Sequence, residues 1–263
     1  MYPLLFKIGP IEIHTYGFMI ALGFFAALST VRRLAARSGM DPELSADTAF
    51  WLLVMGLIGA RLLFVITRWQ DFAADPLAVF RIWEGGLVFF GGPLLALPWG
   101  YWWVRRHKMS FWKSIDMYLP ALALGHAFGR LGCVAAGCCY GRPTDLPWGL
   151  RSQSELVEPL LRGVPLHPVQ LYEFTALMVL FSGLLWVHRN RRFDGQVGVT
   201  YLLAYPFIRS ITETFRGDVA RGFVFGGLIS TSQLISIIFF ATGVLLLWSR
   251  LRDRSGMSKG AAR

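Results

Sequence analysis

Residues 125–144 read GHAFGRLGCVAAGCCYGRPT and bring together His126, Arg130 and all three cysteines of the chain. The stretch directly follows the apolar run 117–124. An arginine at the centre of a spanning helix costs ~2.5–3.5 kcal/mol, so one kept there is expected to face a cavity, a partner or a polar ligand. His126 and Arg130 are one helical turn apart and share a face. Tyr205, Arg209 and Glu213 repeat that spacing and put a phenol, a guanidinium and a carboxylate on one side of a second apolar helix. Two guanidiniums, each able to donate paired hydrogen bonds, suit a phosphodiester such as an anionic phospholipid headgroup. A plain structural Arg209–Glu213 pair is the competing reading of that second stripe. Glycines at 125, 129 and 132 either admit a ligand closely or simply let helices pack. The cysteines leave three readings open. They are small packing residues; or Cys133 and Cys138 form a disulfide, the adjacent Cys138 and Cys139 being too constrained to bridge; or they join His126 in a zinc site, with suitable ligand types but an unfamiliar spacing.

The elements that must position these groups follow from composition. The 263-residue chain is 54% hydrophobic and 16% charged, whereas soluble domains carry about 25% charged residues. Several stretches approach the ~20 apolar residues needed to cross a bilayer. The fold class predicted is an all-α polytopic membrane protein with seven transmembrane helices. Six fall near 16–34, 46–67, 114–136, 168–187, 196–215 and 229–249; the third in order ends at Tyr101-Trp102-Trp103 and is interrupted by Gly85-Gly86 and Gly91-Gly92-Pro93. Such breaks are tolerated at membrane depth where they line a cavity or are buried in protein, which predicts that this segment adjoins the site. The net charge of +10 could point to nucleic acid, but its distribution argues for topology. The basic groups Arg32/Arg33/Arg37, Arg105/Arg106/Lys108/Lys113, Arg189/Arg191/Arg192 and Arg250/Arg252/Arg254/Lys259/Arg263 occupy alternate connections. That is the positive-inside pattern, with the N-terminus outside and the C-terminus cytoplasmic.

Residues 1–13 read as an amphipathic lead-in without a continuous helix because of Pro3 and Pro10, and they lack the features of a cleavable signal peptide. Ser45 or Asp47 is the expected cap of the second helix. Arg61, near that helix's outer end, either snorkels or meets a lipid phosphate. Residues 68–84, with Trp69 and Trp83, read as an interfacial segment. Residues 1–250 are expected to form one transmembrane catalytic domain, with 137–168 a small external head between helices 4 and 5. Residues 251–263 are expected to be a basic cytoplasmic tail. No cofactor, no metal and no nucleic-acid partner is called for.

Five fragments, in order, resemble the prolipoprotein diacylglyceryl transferase family. They are His14-Thr15-Tyr16-Gly17; Trp83-Glu84-Gly85-Gly86 followed by Gly91-Gly92; Gly129-Arg130-Leu131-Gly132 with Gly137 and Gly141-Arg142; His167-Pro168-Val169-Gln170-Leu171-Tyr172-Glu173; and Tyr205-Pro206-Phe207-Ile208-Arg209 with Glu213 and Arg216. The resemblance implies a bacterial inner-membrane enzyme of lipoprotein biosynthesis. Such an enzyme moves a diacylglyceryl group from phosphatidylglycerol to the lipobox cysteine thiol of a prolipoprotein signal peptide, makes a thioether and releases glycerol phosphate. It implies Arg130, Arg209, Tyr205 and Glu213 as catalytic candidates. Arg130, Tyr16, Gln170 and Gly141 are the implied binders of substrate. The chain departs from the family pattern where Phe90 replaces a histidine, Cys133 and Ala136 replace asparagines, and Cys138 replaces a glutamate. The thiol still needs a base. His126 is the nearest replacement, and Glu213 or Tyr205 the alternative. A related transferase with another acceptor, or a non-catalytic lipid-binding or lipid-transporting protein, are the competing functions.

Overall fold

The computed structural model describes residues 4–8, 11–73, 75–81, 85–218, 222–224 and 228–260. Trp83 and Glu84, Pro3 and Pro10, and Arg263 lie outside them. The chain divides into two compact units, one of residues 1–27 with 119–263 and one of residues 28–118.

The smaller unit contains the later part of α1 (Thr15–Arg37), then α2 (Pro42–Thr67), the short α3 (Trp69–Ala73), a 3-10 turn at Pro76–Phe80, α4 (Gly91–Arg106) and the start of α5 (Phe111–Ala136). Helix α2 begins earlier than the apolar pattern suggests. Asp41, rather than Ser45 or Asp47, caps it by accepting from the amides of Glu43 (2.9 Å) and Leu44 (3.3 Å), with Pro42 in the first turn, where its missing N–H costs nothing. Helices α2 and α4 meet backbone to backbone: a Cβ on Gly59 would lie 2.2 Å from the Gly91 carbonyl oxygen. Such contact is how helices pack where lipid removes the hydrophobic drive.

Arg61 neither snorkels nor awaits a phosphate. Its buried guanidinium donates to the carbonyls of Val79 (2.9 Å), Gly85 (2.6 Å), Gly86 (3.0 Å), Ala78 (2.7 Å) and Arg81 (3.3 Å). The ring of Phe64 lies beneath it. Gly85 and Gly86 adopt φ of 88° and 77°, so the chain before α4 turns its carbonyls inward to this one charge. The third helix is thus not a broken span in the way expected. It starts at Gly91, and irregular backbone tied to Arg61 precedes it.

The larger unit opens with a hairpin of β1 (Leu4–Ile8) and β2 (Ile11–His14), antiparallel in register Lys7↔Glu12 and Ile8↔Ile11, where only a non-helical lead-in was expected. The first turns of α1 follow. The rest of α5, α6 (Val169–Asn190) and α7 (Gln196–Phe215) share a core of Ala123, Ala127, Leu177, Leu180, Leu184, Val197 and Tyr201. Between α5 and α6 lie residues 137–168, the segment read from the sequence as a head. Its short ladder pairs β3 (Leu150–Arg151) with β4 (Pro165–Leu166), and Tyr140, Val157 and Leu166 form its own small core. The head is stitched to the helix ends by main-chain bonds, Arg142 N to Phe215 O (2.9 Å) and Gly217 N to Tyr140 O (3.2 Å). After α7, β5 (Phe223–Val224) pairs with β6 (Ile229–Ser230) and leads into α8 (Thr231–Gly260). Helix α8 therefore carries the expected tail as helix through residue 260.

Among the described helices, five are long and apolar enough to cross a membrane: α1, α2, α5, α6 and residues Thr231–Arg250 of α8. Helix α4 has 16 residues, about 24 Å of rise, less than the ~30 Å hydrocarbon thickness. Helix α7 carries the charged stripe. The chain is a multi-pass membrane protein.

Candidate functional site

The polar residues of three helices in the larger unit converge on one carboxylate. Glu173 lies in the second turn of α6 with its side chain 1% exposed. From α5, Arg130 Nη2 donates to Glu173 Oε1 at 3.0 Å. From α7, Arg209 Nη1 faces the other oxygen, Oε2, at 3.6 Å, beyond hydrogen-bond length. His126 Nε2 lies 3.5 Å from Oε1. One carboxylate thus gathers two guanidiniums and an imidazole.

The α7 stripe folds as its spacing requires. Arg209 Nη2 lies 2.5 Å from Glu213 Oε2 one turn on, and it also donates to Ser232 Oγ of α8 at 3.2 Å. Tyr205, one turn before Arg209, packs its ring on His126 (centroids 5.8 Å apart) and stacks on Tyr201 at 5.3 Å. Its phenol is within electrostatic reach of Glu173, Arg209 and Arg130. The Arg209–Glu213 pair of the structural reading is therefore present, and Arg209 Nη1 is turned to Glu173 rather than to Glu213.

Arg130 Nε and Arg209 Nη1 are buried and have no hydrogen-bond partner among the described residues. Leaving a buried donor unmet costs about 1–3 kcal/mol, more for a charged group, and native structures rarely tolerate it without a ligand or a functional reason. Both donors lie beside Glu173, whose Oε2 likewise has no hydrogen-bond partner among the described residues.

The other predicted residues take supporting positions. Gln170 is buried on α6 and donates its amide to the Cys138 carbonyl at 2.7 Å. It fixes the loop after α5 in this structure. Gly141 donates its N–H to the His167 carbonyl at 3.1 Å, and a Cβ there would come 2.5 Å from that same oxygen. It is the close crossing between head and helix ends. Tyr16 in the first turn of α1 sits against Gly132, where a Cβ would lie 2.9 Å from the Tyr16 ring. Its phenol is within electrostatic reach of Arg130 and the three cysteines. Phe90, which stands where the family pattern has a histidine, caps α4 in the smaller unit with its ring exposed. Glu173 was not singled out as a site residue from the sequence. Its signal was an acid in the first turns of an otherwise apolar segment.

All three cysteines are free, and their Sγ atoms lie within 4.8 Å of one another. Gly137 ends α5 at φ 78°, bonding back to the Cys133 carbonyl at 2.9 Å, and Cys139 follows in the left-handed region at φ 58°. That reversal brings the loop cysteines back over Cys133. The Cys139 thiol is held well below its ordinary value by hydrogen bonds from Cys133 and Cys138, with the guanidiniums of Arg130 and Arg216 adding to this against burial. For Cys138 the hydrogen bond with Cys133 works downward, but that with Cys139, together with burial, pushes it up to about 11. Arg216 in turn is clamped by Asp218, its Nε donating to Oδ1 at 2.8 Å.

The chain is similar to known proteins over most of its length. A model of the prolipoprotein diacylglyceryl transferase family matches residues 3–249. Relatives named phosphatidylglycerol–prolipoprotein diacylglyceryl transferase include those of Geobacter sulfurreducens, 36% identical over 250 residues (93% of each chain), and of Vibrio cholerae, 35% identical over 255 residues (95% of this chain, 92% of the relative). That of Synechococcus elongatus is 34% identical over 255 residues, covering 94% of this chain and 86% of the relative.

Proposed function

The chain belongs to the prolipoprotein diacylglyceryl transferase family, and from that membership we propose that it transfers the diacylglyceryl group of phosphatidylglycerol to a prolipoprotein cysteine in the bacterial inner membrane. The observation that carries this reading is the pair of buried, unmet donors, Arg130 Nε and Arg209 Nη1, on either side of Glu173. In the reaction, the thiol sulfur attacks the glyceryl carbon that bears the phosphodiester. A C–S bond forms, the C–O bond breaks, and its electron pair leaves with glycerol phosphate. The leaving phosphate gains one negative charge, and donors already aimed at it stabilise that charge without reorganising.

His126 takes the thiol proton in this scheme. Its imidazole stands beside the guanidiniums that hold the phosphate, and the Glu173 carboxylate is 3.5 Å away to balance the charge the ring gains. Proton uptake by the ring and charge gain by the leaving group then cancel within the site. Tyr205 and Glu213 keep the ring and Arg209 in position. Tyr16, Gln170 and Gly141 border the lipid and peptide through the loop they support.

The same reading takes α1, α2, α4, α5, α6, α7 and α8 as seven spans, with the N-terminus and the head outside. Its support is that the C-terminal ends of α1, α4, α6 and α8 carry the four basic clusters.

The test is transfer to a lipobox peptide by the purified chain in phosphatidylglycerol vesicles, read by mass as thioether product and by glycerol phosphate release. Arg130→Ala and Arg209→Ala should each lose about 2–5 kcal/mol of transition-state stabilisation, roughly thirtyfold or more. Arg209→Lys should be poor as well, because one ammonium cannot replace a planar fork. Full activity in both alanine variants would remove the phosphate clamp.

A further inference from the structure

The reaction proposed above must make a thiolate, and the chain carries a cluster of soft ligands beside its anion site that the scheme so far leaves unused. Cys133 from the last turn of α5 and Cys138 and Cys139 from the reversal after it place three Sγ atoms within 4.8 Å of one another. Zinc bound by thiolates has Zn–S distances of about 2.3 Å, which sets S···S at about 3.8 Å in a tetrahedron. The cluster needs to contract by no more than about 1 Å to reach it. No disulfide joins the sulfurs, and no histidine or carboxylate among the described residues completes a fourth position. His126 is therefore not a ligand of this cluster, in contrast to the zinc site weighed from the sequence.

Two features separate the cluster from ordinary cysteine packing. The first is backbone: Cys139 is held at φ 58°, a conformation unfavourable for a residue that carries a side chain, and strain of that kind gathers at functional sites. The loop is pinned in this form by the Gln170 amide on the Cys138 carbonyl (2.7 Å) and by Ser154 Oγ on the Ala136 carbonyl (2.7 Å). The second is placement: Cys133 follows Arg130 by three residues on α5, so the cluster shares a helix face with the anion site.

We propose that Cys133, Cys138 and Cys139 bind one zinc-class divalent ion with an open fourth position, and that this position takes the thiol of the acceptor peptide. Three protein ligands with one open site is the arrangement of catalytic rather than structural zinc, and a thiol that coordinates the metal is deprotonated outright. The balance is simple. The acceptor S–H gives its proton to His126, the sulfur binds the ion as thiolate, and the same sulfur then forms the C–S bond as the C–O bond of phosphatidylglycerol breaks. The ion changes neither charge nor oxidation state. This role rests on the transferase reading, whereas metal binding itself does not.

The experiment uses the full chain purified in detergent without chelators and then loaded with Zn²⁺ or Co²⁺. One equivalent of zinc should be retained, and a mercurial that caps the cysteines should release it. The Co²⁺ form should show a thiolate-to-metal charge-transfer band. Cys138→Ser and Cys139→Ser should each lose the zinc while keeping the helical circular dichroism. Adding a lipobox peptide should shift the Co²⁺ band, and the same peptide with serine for cysteine should not. Three freely reactive thiols with no retained zinc would reduce the cluster to packing. A single reactive thiol under non-reducing conditions would replace the metal site with a disulfide. A Co²⁺ band indifferent to the cysteine peptide would overturn the open fourth position while leaving the transferase reading intact.

Discussion

At the scale of single residues, one buried acid is shared among three partners. Glu173 holds Arg130 through one oxygen, faces Arg209 with the other and lies 3.5 Å from His126. Removing one partner of a buried ion group typically costs 3–5 kcal/mol, because the remaining charge is left uncompensated. The network is therefore both a positional device and a source of reactive groups. His126→Gln is predicted to lower turnover about a hundredfold, the usual cost of losing a general base, with phosphatidylglycerol binding retained. If His126→Gln keeps full turnover while Tyr205→Phe or Glu213→Gln is inactive, the base belongs to α7. Arg130, Arg209 and Glu213 were legible in the sequence because charge inside an apolar segment is expensive and stands out. Glu173 was harder to pick out. Its partners Arg130, His126 and Arg209 sit on other helices, and nothing local in α6 announces them. The cysteine cluster was legible as a composition but not as a geometry, because the left-handed turn at Cys139 brings the sulfurs together. Arg61 shows the opposite error: the same chemical signal as Arg130, spent entirely on five backbone carbonyls.

At the scale of elements, helices α1, α2, α5, α6, α7 and α8 were readable from their apolar lengths, and α7 matches its expected bounds, 196–215. The N-terminal hairpin was not read. Its signal was the alternation Ile11-Glu12-Ile13-His14 after the Gly9-Pro10 turn dipeptide. Helix α8 outruns its apolar part because its basic continuation, apolar or not, still forms helix. The orientation of these elements is open to a direct check. Residues Leu146 and Trp148 of the head are exposed, so a specific protease site inserted after Pro147 should be cut from the outer face of intact cells. One inserted after Lys108, at the end of α4, should be cut only after lysis. The reverse pattern would invert the arrangement of basic clusters.

At the scale of the whole molecule, each compact unit has its own polar centre, Arg61 in one and Glu173 in the other, and among the described residues the second keeps donors unspent. That division explains why the anion site can be assigned within one unit, from Tyr16 to Ser232, without appeal to the other. It also bears on Phe90. The family pattern's histidine position belongs to the smaller unit, and the groups proposed for catalysis here do not. The central claim is that this chain, with those departures, still performs the family's transfer. The most direct test is complementation of a bacterial strain depleted of its own diacylglyceryl transferase. The native chain should restore growth and thioether-modified lipoproteins, and a chain with Arg130→Ala and Arg209→Ala, present at equal level in the membrane, should restore neither. Accumulation of unmodified prolipoprotein despite abundant native chain, or rescue by the double variant, would contradict it.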